Sequence, residues 1–433
     1  MFFRKSKGLH IKEFPGHKEL SLHVGPIEFS DPEYVYIPLV EGGTPCDCLV
    51  NVGDKVKVGQ AVANRTGRFG LPLHSSVSGE VTSVSKKMWH SSGMMVAMIE
   101  IKNDFLNTLD PSIKPNDVNS LTKEDIARIA RECGIVGLGG SGFPTFVKYQ
   151  PQTEITTLIV NAVECEPFLT ADYTLVKTRT DELIRGIKYA MKATGAKEAF
   201  IAIKSNKVAA IQVLNDHIKD SYIKVFPLKD VYPAGWEKYF VQRVMNKTYK
   251  ALPSEVGAVV NNVATLVALA DAVENNMPLT KKLVTFTGTG LTEPKNVYVK
   301  IGTLTSDVIK NIGGYKENVE LTFVAGGLMT GGALVSDELV INRSLGSVIV
   351  NEVIKQAPAI PCMGCGKCVV NCPVFLSPIE IKRAFDAKDN EKLAELRSEK
   401  CIACGLCSYI CPSRIELTEA TTKARAIVLK GRK

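Results

Sequence analysis

The sequence predicts a multidomain chain of mixed α/β and α+β class, and three observations carry that prediction. At 433 residues the chain is too long for one small domain and suits three or four. Its pattern changes along the length, from short β segments through alternating strands and helices to a stretch holding eight of the twelve cysteines. The composition, 45% hydrophobic and 23% charged, is that of a globular protein and excludes a disordered or collagenous chain.

The net charge of +8 belongs to the two ends of the chain. Residues 1–20 carry +3 and residues 420–433 carry +5, so the long stretch between them sums to zero. A basic groove for nucleic acid is therefore not expected. Three interpretations of the C-terminal basic stretch stay open: it offsets nearby negative charge, grips an acidic partner, or is a frayed and solvated terminus.

The start of the chain has no apolar core or small-residue cleavage site of the kind found in a secretory signal. No run reaches about 18 uninterrupted apolar residues, so we expect no direct membrane span. A reducing cytoplasm is the expected compartment, and there clustered cysteines bind metal rather than form disulfides.

Residues 34–104 show short β segments separated by turn signals. The segments VGDKVKVGQ (52–60) and SVSGEV (76–81) resemble the two halves of a biotinyl/lipoyl-type barrel-sandwich hybrid. Carriers of that fold keep a lysine in the hairpin between the halves, whereas residues 65–74 contain none. The pattern therefore favours a docking module over a carrier. Cys46 and Cys48 are weak evidence for metal or redox chemistry.

The central stretch alternates strands and helices, which predicts a parallel sheet with helices on its faces. Thr122 and Asp125 form a capping box that opens a helix ending near Cys133. The elements predicted after it are a strand at 157–161, helices within 169–194, a strand at 199–204, a helix at 208–219 and a strand at 222–226.

A glycine-dense loop, GIVGLGGSGFPT (134–145), follows the capped helix. Its GxGxxG at 137–142 matches the dinucleotide fingerprint in letters, but it follows a helix and precedes a strand, the reverse of the usual context. A plain flexible loop is the alternative. Glycines at this density nevertheless let backbone amides approach a phosphate or a flat ring, and Lys148 adds a positive charge. Two further candidate patches, 161–167 and 232–238, each follow a predicted strand, where open α/β sheets bind ligands.

The strongest pattern is CxxCxxCxxxCP, which begins at Cys362 and is repeated from Cys401. This is the spacing of bacterial two-cluster ferredoxins, in which the fourth cysteine of each run ligates the other cluster. Structural zinc sites, the alternative, usually pair CxxC motifs across a longer loop. Residues 379–396, between the runs, are expected to form an amphipathic helix. The predicted [4Fe–4S] ligand sets are Cys362, Cys365, Cys368 and Cys411 for one cluster and Cys401, Cys404, Cys407 and Cys372 for the other.

Four segments in order carry a family resemblance: GIVGLGGSGFPTFVK, NAVECEP, VYPAGWEK and VVNNVATL. They resemble the flavin-binding segments of RnfC, a subunit family of Rnf-type electron transport complexes. They are more distantly similar to the NADH-binding, FMN-carrying subunit of respiratory complex I. The implied domains are an N-terminal segment at 1–33, a barrel-sandwich hybrid at 34–104, a complex-I-like FMN/NADH-binding α/β domain at 105–265, a β-grasp (SLBB-like) domain at 266–350 and a two-[4Fe–4S] ferredoxin domain with a basic tail at 351–433.

The resemblance also implies roles for individual residues. Lys148 would lie near the FMN phosphate, Phe143 would stack on the nicotinamide nucleotide, and Glu166 and Glu237 would accept hydrogen bonds from its ribose hydroxyls. No residue beyond the flavin is expected to be catalytic. The remaining residues implied to line FMN are Gly137, Gly139, Gly140, Gly142, Asn161, Glu164, Tyr232, Gly235, Asn261 and Asn262.

The implied function is that of an NADH-oxidising or NAD-reducing subunit that passes electrons between NADH, FMN and two [4Fe–4S] clusters. Its partners would be Rnf-type membrane subunits and ferredoxin, with the chain held peripherally on the cytoplasmic face of the membrane. Trp236 stands where the family motif has a small or polar residue, and the N-terminal GLHIKEFPGHKEL follows the family pattern loosely. Two alternatives therefore stay open: a soluble relative feeding methylenetetrahydrofolate reductase or D-proline reductase, and a non-catalytic iron–sulfur relay.

Overall fold

The computed structural model of the chain describes residues 9–10, 15–355 and 357–431. The last two residues of the basic end and residues 8 and 11–14 of the N-terminal motif lie outside that part. The first large unit is a sandwich of two four-stranded antiparallel sheets around a core that includes Val35, Val62 and Ile99. The predicted β-rich barrel-sandwich is confirmed. Its strands, in sheet order, are Tyr34–Pro38, Met95–Asn103, Gly79–Trp89 and Lys55–Val56, then Val40–Glu41, Thr44–Cys48, Ala61–Arg65 and Pro72–His74.

The central unit is a four-stranded sheet in which every neighbouring pair is parallel, as the alternating pattern predicts. The capping box at Thr122 is present, and its helix ends at Glu132 before the cap residue Cys133. The strands, in sheet order, are Ile223–Leu228, Glu198–Lys204, Thr157–Ala162 and Ala258–Asn262. The helices are Lys123–Glu132, Thr145–Lys148, Ala171–Thr178, Thr180–Thr194, Val208–His217, Glu237–Met245 and Val263–Asn275, with a 3-10 turn at Pro253–Val256.

A third unit is a six-stranded mixed sheet that packs against the helix Thr305–Asn311. The N-terminal segment contributes to it, because strand Ile27–Glu28 pairs in parallel with Lys295–Lys300. The short helix Glu19–Leu22 precedes that strand, and Leu9–His10 pairs with Val231–Tyr232. The strands, in sheet order, are Gly332–Leu334, Leu321–Ala325, Ser347–Glu352, Lys281–Thr287, Lys295–Lys300 and Ile27–Glu28.

The cysteine-rich end is helical, and here one expectation is wrong. The single helix predicted over 379–396 is two helices, Pro378–Asp386 and Asn390–Glu395. Lys388 adopts a positive φ of 56°, and the Asp389 carboxylate then caps the second helix by accepting from Lys392 N. The other elements here are Lys367–Val370, Ser398–Lys400, Leu406–Tyr409 and Leu417–Gly431.

The basic end forms the helix Leu417–Gly431 and packs its buried Ala424 and Val428 with Ile381 and Leu393. The frayed-terminus interpretation is therefore wrong for the residues described. In the part of the chain that the structure describes, no helix is both long and apolar enough to cross a membrane.

Helices Thr180–Thr194 and Val263–Asn275 cross closely, because Gly186 has no side chain. A Cβ added at Gly186 would lie 2.0 Å from the backbone oxygen of Leu266. We expect Gly186→Ala to lower the free energy of unfolding by about 1–3 kcal/mol through the forced shift of one helix. Urea unfolding followed by circular dichroism would measure this. Gly25→Ala, where an added Cβ meets no atom within 4 Å, is the control. Equal stability of the two variants would contradict the close approach.

Candidate flavin and iron–sulfur site

The glycine loop is a compact turn between the helix that ends at Glu132 and the short helix that begins at Thr145. Gly142 N donates to Gly137 O at 3.0 Å, and Gly137 N donates to Phe143 O at 2.8 Å. Leu138 N donates to the buried hydroxyl of Thr265 at 2.9 Å. These bonds hold the loop against the helix Val263–Asn275, so it is not a free flexible loop.

Gly139 and Gly140 place the loop backbone in two different surroundings. A Cβ on Gly139 would lie 3.0 Å from the amide nitrogen of Asn262, so the loop backbone rests directly on that residue. Gly140 has a φ of 98°, and a Cβ added there would meet no atom within 4 Å. The loop therefore packs on the sheet edge on one side and presents bare backbone to open space on the other.

Lys148 extends from the short helix into the same region. Its ammonium donates to Val260 O at 2.8 Å and lies 5.9 Å from the centre of the Phe143 ring. Burial lowers the pKa of Lys148, while the negative charge of Glu237 favours its charged form. Lys148 and Phe143 are thus neighbours, and Glu237 lies close enough to act on the charge of Lys148.

The motifs NAVECEP and VVNNVATL lie side by side, because the strands that carry their asparagines are adjacent and parallel. In the register of this pair, Asn161 lies opposite Asn262, and Val160 opposite Asn261. Asn261 is 2% exposed, and its Oδ1 has no hydrogen-bond partner among the described residues. Asn262 Oδ1 accepts from Ala264 N at 2.9 Å and so caps the next helix. Asn262 therefore forms a wall of the pocket, with its amide already engaged.

The side-chain amide of Asn262 makes a second hydrogen bond, which leads to the acidic side chains of Asp172 and Glu164. Asn262 Nδ2 donates to Asp172 Oδ2 at 2.5 Å, and Asp172 N donates to Glu164 Oε1 at 2.8 Å. Burial, reinforced by Glu164, raises the pKa of Asp172 to about 7. Burial also raises the pKa of Glu164, and the nearby Lys18 opposes that rise. Asp172 and Lys18 are site residues that motif reasoning missed.

The patch 232–238 contacts the patch 161–167 directly. Gly235 lies against Cys165, whose sulfur would be 2.8 Å from a Cβ at that position. Asn161 Nδ2 donates to Gly235 O at 3.4 Å. Trp236 is half-buried and precedes the helix that begins at Glu237, and the Glu237 carboxylate accepts from Tyr249 Oη at 2.8 Å.

Glu166 faces the mixed-sheet unit in this structure. Its Oε1 accepts from Thr330 Oγ1 at 2.6 Å and lies 3.4 Å from Tyr232 Oη, and its Oε2 accepts from Met329 N at 3.0 Å. Its carboxylate therefore joins the NAVECEP loop to the turn after strand Leu321–Ala325. That partner turn carries no motif in the sequence.

The eight cysteines of the two runs surround two separate cavities. One cavity is lined by Cys362, Cys365, Cys368 and Cys411 and encloses about 750 Å³ of empty space, open solvent included. The other is lined by Cys372, Cys401, Cys404 and Cys407 and encloses about 370 Å³ on the same measure. We call the four cysteines of the first cavity the outer set and those of the second the inner set. Each set contains the fourth cysteine of the other run.

The inner set lies directly against the flavin-side loops. Tyr232, 1% exposed, donates from its hydroxyl to Cys404 O at 2.7 Å. Leu406 packs with Tyr232 and Cys165 in one buried cluster. Gly405 approaches the mixed-sheet turn so closely that a Cβ there would lie 2.6 Å from Met329 O. Three units of the chain therefore meet at this point, and we call it the Tyr232 junction.

The arrangement fits the predicted cofactors. A phosphorylated, polar ring system suits this region for three reasons. There is open space in front of Gly140, the Asn261 Oδ1 has no hydrogen-bond partner among the described residues, and the Lys148 side chain is half-buried. Within the described residues, no three or more His, Cys, Asp or Glu side chains converge tightly enough to hold a single metal ion. Four sulfurs that line one cavity are the ligand set of a [4Fe–4S] cluster.

Comparisons with known families match the sandwich, the parallel-sheet unit and the cysteine-rich end. Residues 3–105 match the RnfC barrel sandwich hybrid domain, residues 130–271 the Nuo51 FMN-binding domain, and residues 361–415 the 4Fe-4S dicluster domain. Among solved structures, an NAD+-reducing [NiFe]-hydrogenase superposes with a TM-score of 0.52 at 18% identity, over 72% of this chain and 64% of that one. At that identity the likeness shows the fold alone.

Curated relatives cover most of the chain. The RnfC subunit of the Na(+)-translocating ferredoxin:NAD(+) oxidoreductase complex of Acetobacterium woodii is 36% identical over 376 residues, 85% of this chain and 84% of the relative. Its counterpart in the proton-translocating complex of Clostridium ljungdahlii is 32% identical, over 82% of this chain and 79% of its own length. The counterpart in the ion-translocating oxidoreductase complex of Rhodobacter capsulatus is 32% identical, over 88% and 75%.

The crossed cysteine sets predict which cluster each fourth cysteine supports. We expect Cys411→Ala to remove the outer cluster and keep the inner one, and Cys372→Ala to do the reverse. Each variant should hold about half of the wild-type iron, since each keeps one complete set. Iron analysis and low-temperature EPR of anaerobically purified protein would measure this. Loss of the inner cluster from Cys411→Ala alone would contradict the crossing.

Lys148 offers a test of the flavin pocket. Lys148→Met should weaken FMN binding by about tenfold or more, the usual cost of losing a charged hydrogen-bond donor. Quenching of FMN fluorescence on titration with flavin-free protein would measure the dissociation constant. Lys192→Met, at an exposed lysine of the helix Thr180–Thr194, is the matched control. Unchanged affinity in Lys148→Met would remove Lys148 from the pocket.

Proposed function

Since the chain belongs to the RnfC family of ion-translocating ferredoxin:NAD(+) oxidoreductase complexes, we propose that the pocket and cysteine sets described above carry electrons between NADH and the other subunits of such a complex. FMN and two [4Fe–4S] clusters are its cofactors. The observation that carries the proposal is the Tyr232 junction, where the hydroxyl of Tyr232 reaches Cys404 O at 2.7 Å.

FMN, when bound, supplies the conversion between the two-electron chemistry of NADH and the one-electron chemistry of iron–sulfur clusters. The chain's part is to bind and orient. The backbone of the glycine loop and the ammonium of Lys148 hold the anionic and polar groups. The buried Asn261 lies beside Asn262 at the end of the strand Ala258–Asn262. Phe143 offers a ring for the nicotinamide nucleotide. Glu237, whose Oε1 is held by Tyr249, offers Oε2 to a ribose hydroxyl.

The positions of the two cysteine sets assign their order. The inner set touches the flavin-side loops through Tyr232 and Leu406. The outer set includes the exposed Cys362 and Cys365, and exposed apolar side chains such as Met363 flank it. We therefore assign the inner set to exchange with the flavin side and the outer set to exchange with the electron partner.

The same order assigns the docking side of the complex. The helix Leu417–Gly431 carries Lys423, Arg425 and Lys430. Its first residue, Leu417, lines the outer cavity, whereas Thr418 and Thr421 line the inner one. A partner with acidic groups around its own redox centre fits that face. In this proposal the chain is held peripherally on the cytoplasmic face of the membrane by the partner subunits.

Anaerobic reduction of the loaded chain by NADH tests the function. In wild type, NADH should reduce both clusters, as read by rapid-freeze EPR. In Cys411→Ala it should still reduce the inner cluster. In Cys372→Ala it should reduce the outer cluster far more slowly than in wild type, although dithionite reduces that cluster normally.

Two results would contradict the proposal in different ways. A wild-type chain that holds both clusters but binds neither FMN nor NADH would overturn the function. Equal rates of outer-cluster reduction in Cys372→Ala and wild type would overturn the order of the two sets and leave the function standing.

A further inference from the structure

The N-terminal segment reaches the back of the flavin pocket through one buried lysine. Lys18 is only 9% exposed, although it lies far along the chain from every pocket motif. Its ammonium donates to Glu166 O at 2.9 Å and also to Leu169 O. It lies 3.8 Å from Glu164 Oε2. One side chain thus holds two backbone carbonyls and one carboxylate of the loop 164–170.

Neighbours of Lys18 follow the same loop along its length. Phe168 N donates to Gly16 O at 2.6 Å, and His17 stacks on the Phe168 ring with 4.9 Å between the ring centres. The hydroxyls of Ser21 and Thr170 lie 2.7 Å apart. Residues 16–21 therefore form a fitted support for the loop rather than a passing contact.

Lys18 also has an electrostatic role, because its ammonium lies beside the buried carboxylate of Glu164. Glu164 is held by the loop at a φ of 43°, and its Oε2 is buried with no hydrogen-bond partner among the described residues. Its other oxygen is occupied by Asp172 N. The carboxyl groups of Glu164 and Asp172 thus lie close together, and the ammonium of Lys18 lies 3.8 Å from Glu164. Lys207 also faces Glu164, and Lys282 faces Asp172. A buried carboxylate without a partner is strongly disfavoured.

We propose that Lys18 is a positioning residue for the flavin pocket, which keeps Glu164 ionised and holds the loop 164–170 in its binding shape. The inference rests on the proposed function, because it assumes that this pocket binds FMN. Lys18 acts through Glu164 and the loop carbonyls, and it needs no contact with the flavin.

The first experiment compares FMN binding by flavin-free, cluster-loaded variants. Lys18→Met should weaken FMN binding about tenfold, since a charged hydrogen-bond donor is lost behind the loop. Lys300→Met is the matched control, because Lys300 also anchors the N-terminal segment, by its ion pair with Asp31 at 2.8 Å, but does not touch the loop. The control should bind FMN as wild type does. An unchanged dissociation constant in Lys18→Met would overturn the proposal.

A double-mutant cycle separates charge from general support. In a Glu164→Gln background there is no carboxylate at position 164 to neutralise, so Lys18→Met should cost about threefold or less. Equal costs of Lys18→Met in the two backgrounds would show that Lys18 does not act through the charge of Glu164, and would overturn the proposal.

FMN affinity can also be measured across a pH series in the wild-type protein. This test remains available even if Lys18→Met yields no cluster-loaded protein. The titratable and charged groups that face Lys18 are Glu164, Cys165, Glu166, Asp172, Lys204 and Lys207. Burial lowers the pKa of Lys18 to about 8, so its ammonium is present below that pH and is lost above it. FMN affinity in wild type should therefore fall as the pH rises through about 8.

The same series in Glu164→Gln should fall by much less across that range, because the neutral amide does not require the ammonium and Asp172 is the carboxylate that remains. Burial raises the pKa of the Cys165 thiol to about 11, so that thiol stays protonated throughout. A fall of equal size in wild type and Glu164→Gln would overturn the proposal. Failure of wild type to bind FMN at any pH would instead overturn the proposed function, so the two failures are distinguishable.

Discussion

Direct contact between the flavin-side loops and one set of cysteines is the constraint on which the rest of this structure depends. Electrons cross between redox centres only where protein brings those centres close, and here the approach is made by the Tyr232 junction. Tyr232 is buried among residues of the parallel-sheet unit and the cysteine-rich end, and Glu166 reaches from the loop 164–170 to Thr330 of the mixed sheet. These three units are therefore held together at the point where the flavin-side loops meet the inner set.

The flavin pocket itself follows from parallel strand pairing. Because Thr157–Ala162 and Ala258–Asn262 are neighbours in register, their asparagines arrive at one edge of the sheet. The glycine loop can then lie on Asn262, since Gly139 has no side chain to keep it away. The sequence alone left open whether this loop is flexible or binds a ligand. Its conformation is determined by the sheet edge beneath it, which backbone hydrogen bonds hold in place.

Features with a local physical cause were predictable from the sequence. The capping box at Thr122 and the alternating strands and helices are short-range patterns, and the structure confirms them. The residue roles drawn from the family resemblance remain predictions, although the structure brings most of those residues to one edge. Lys18 was not predictable, because nothing within its own segment signals that its ammonium neutralises Glu164. The break at Lys388 was missed because one residue with positive φ leaves the apolar spacing on either side helical in appearance.

The crossed lining of the two cavities has a consequence for how the protein is made. The outer cavity includes Cys411, near the end of the chain, and the inner cavity includes Cys372, from the first run. A nascent chain that stops between the runs can complete neither set of four sulfurs. Complete ligation of either cluster is thereby tied to synthesis of both cysteine runs, so neither run on its own supplies four sulfurs to one cavity.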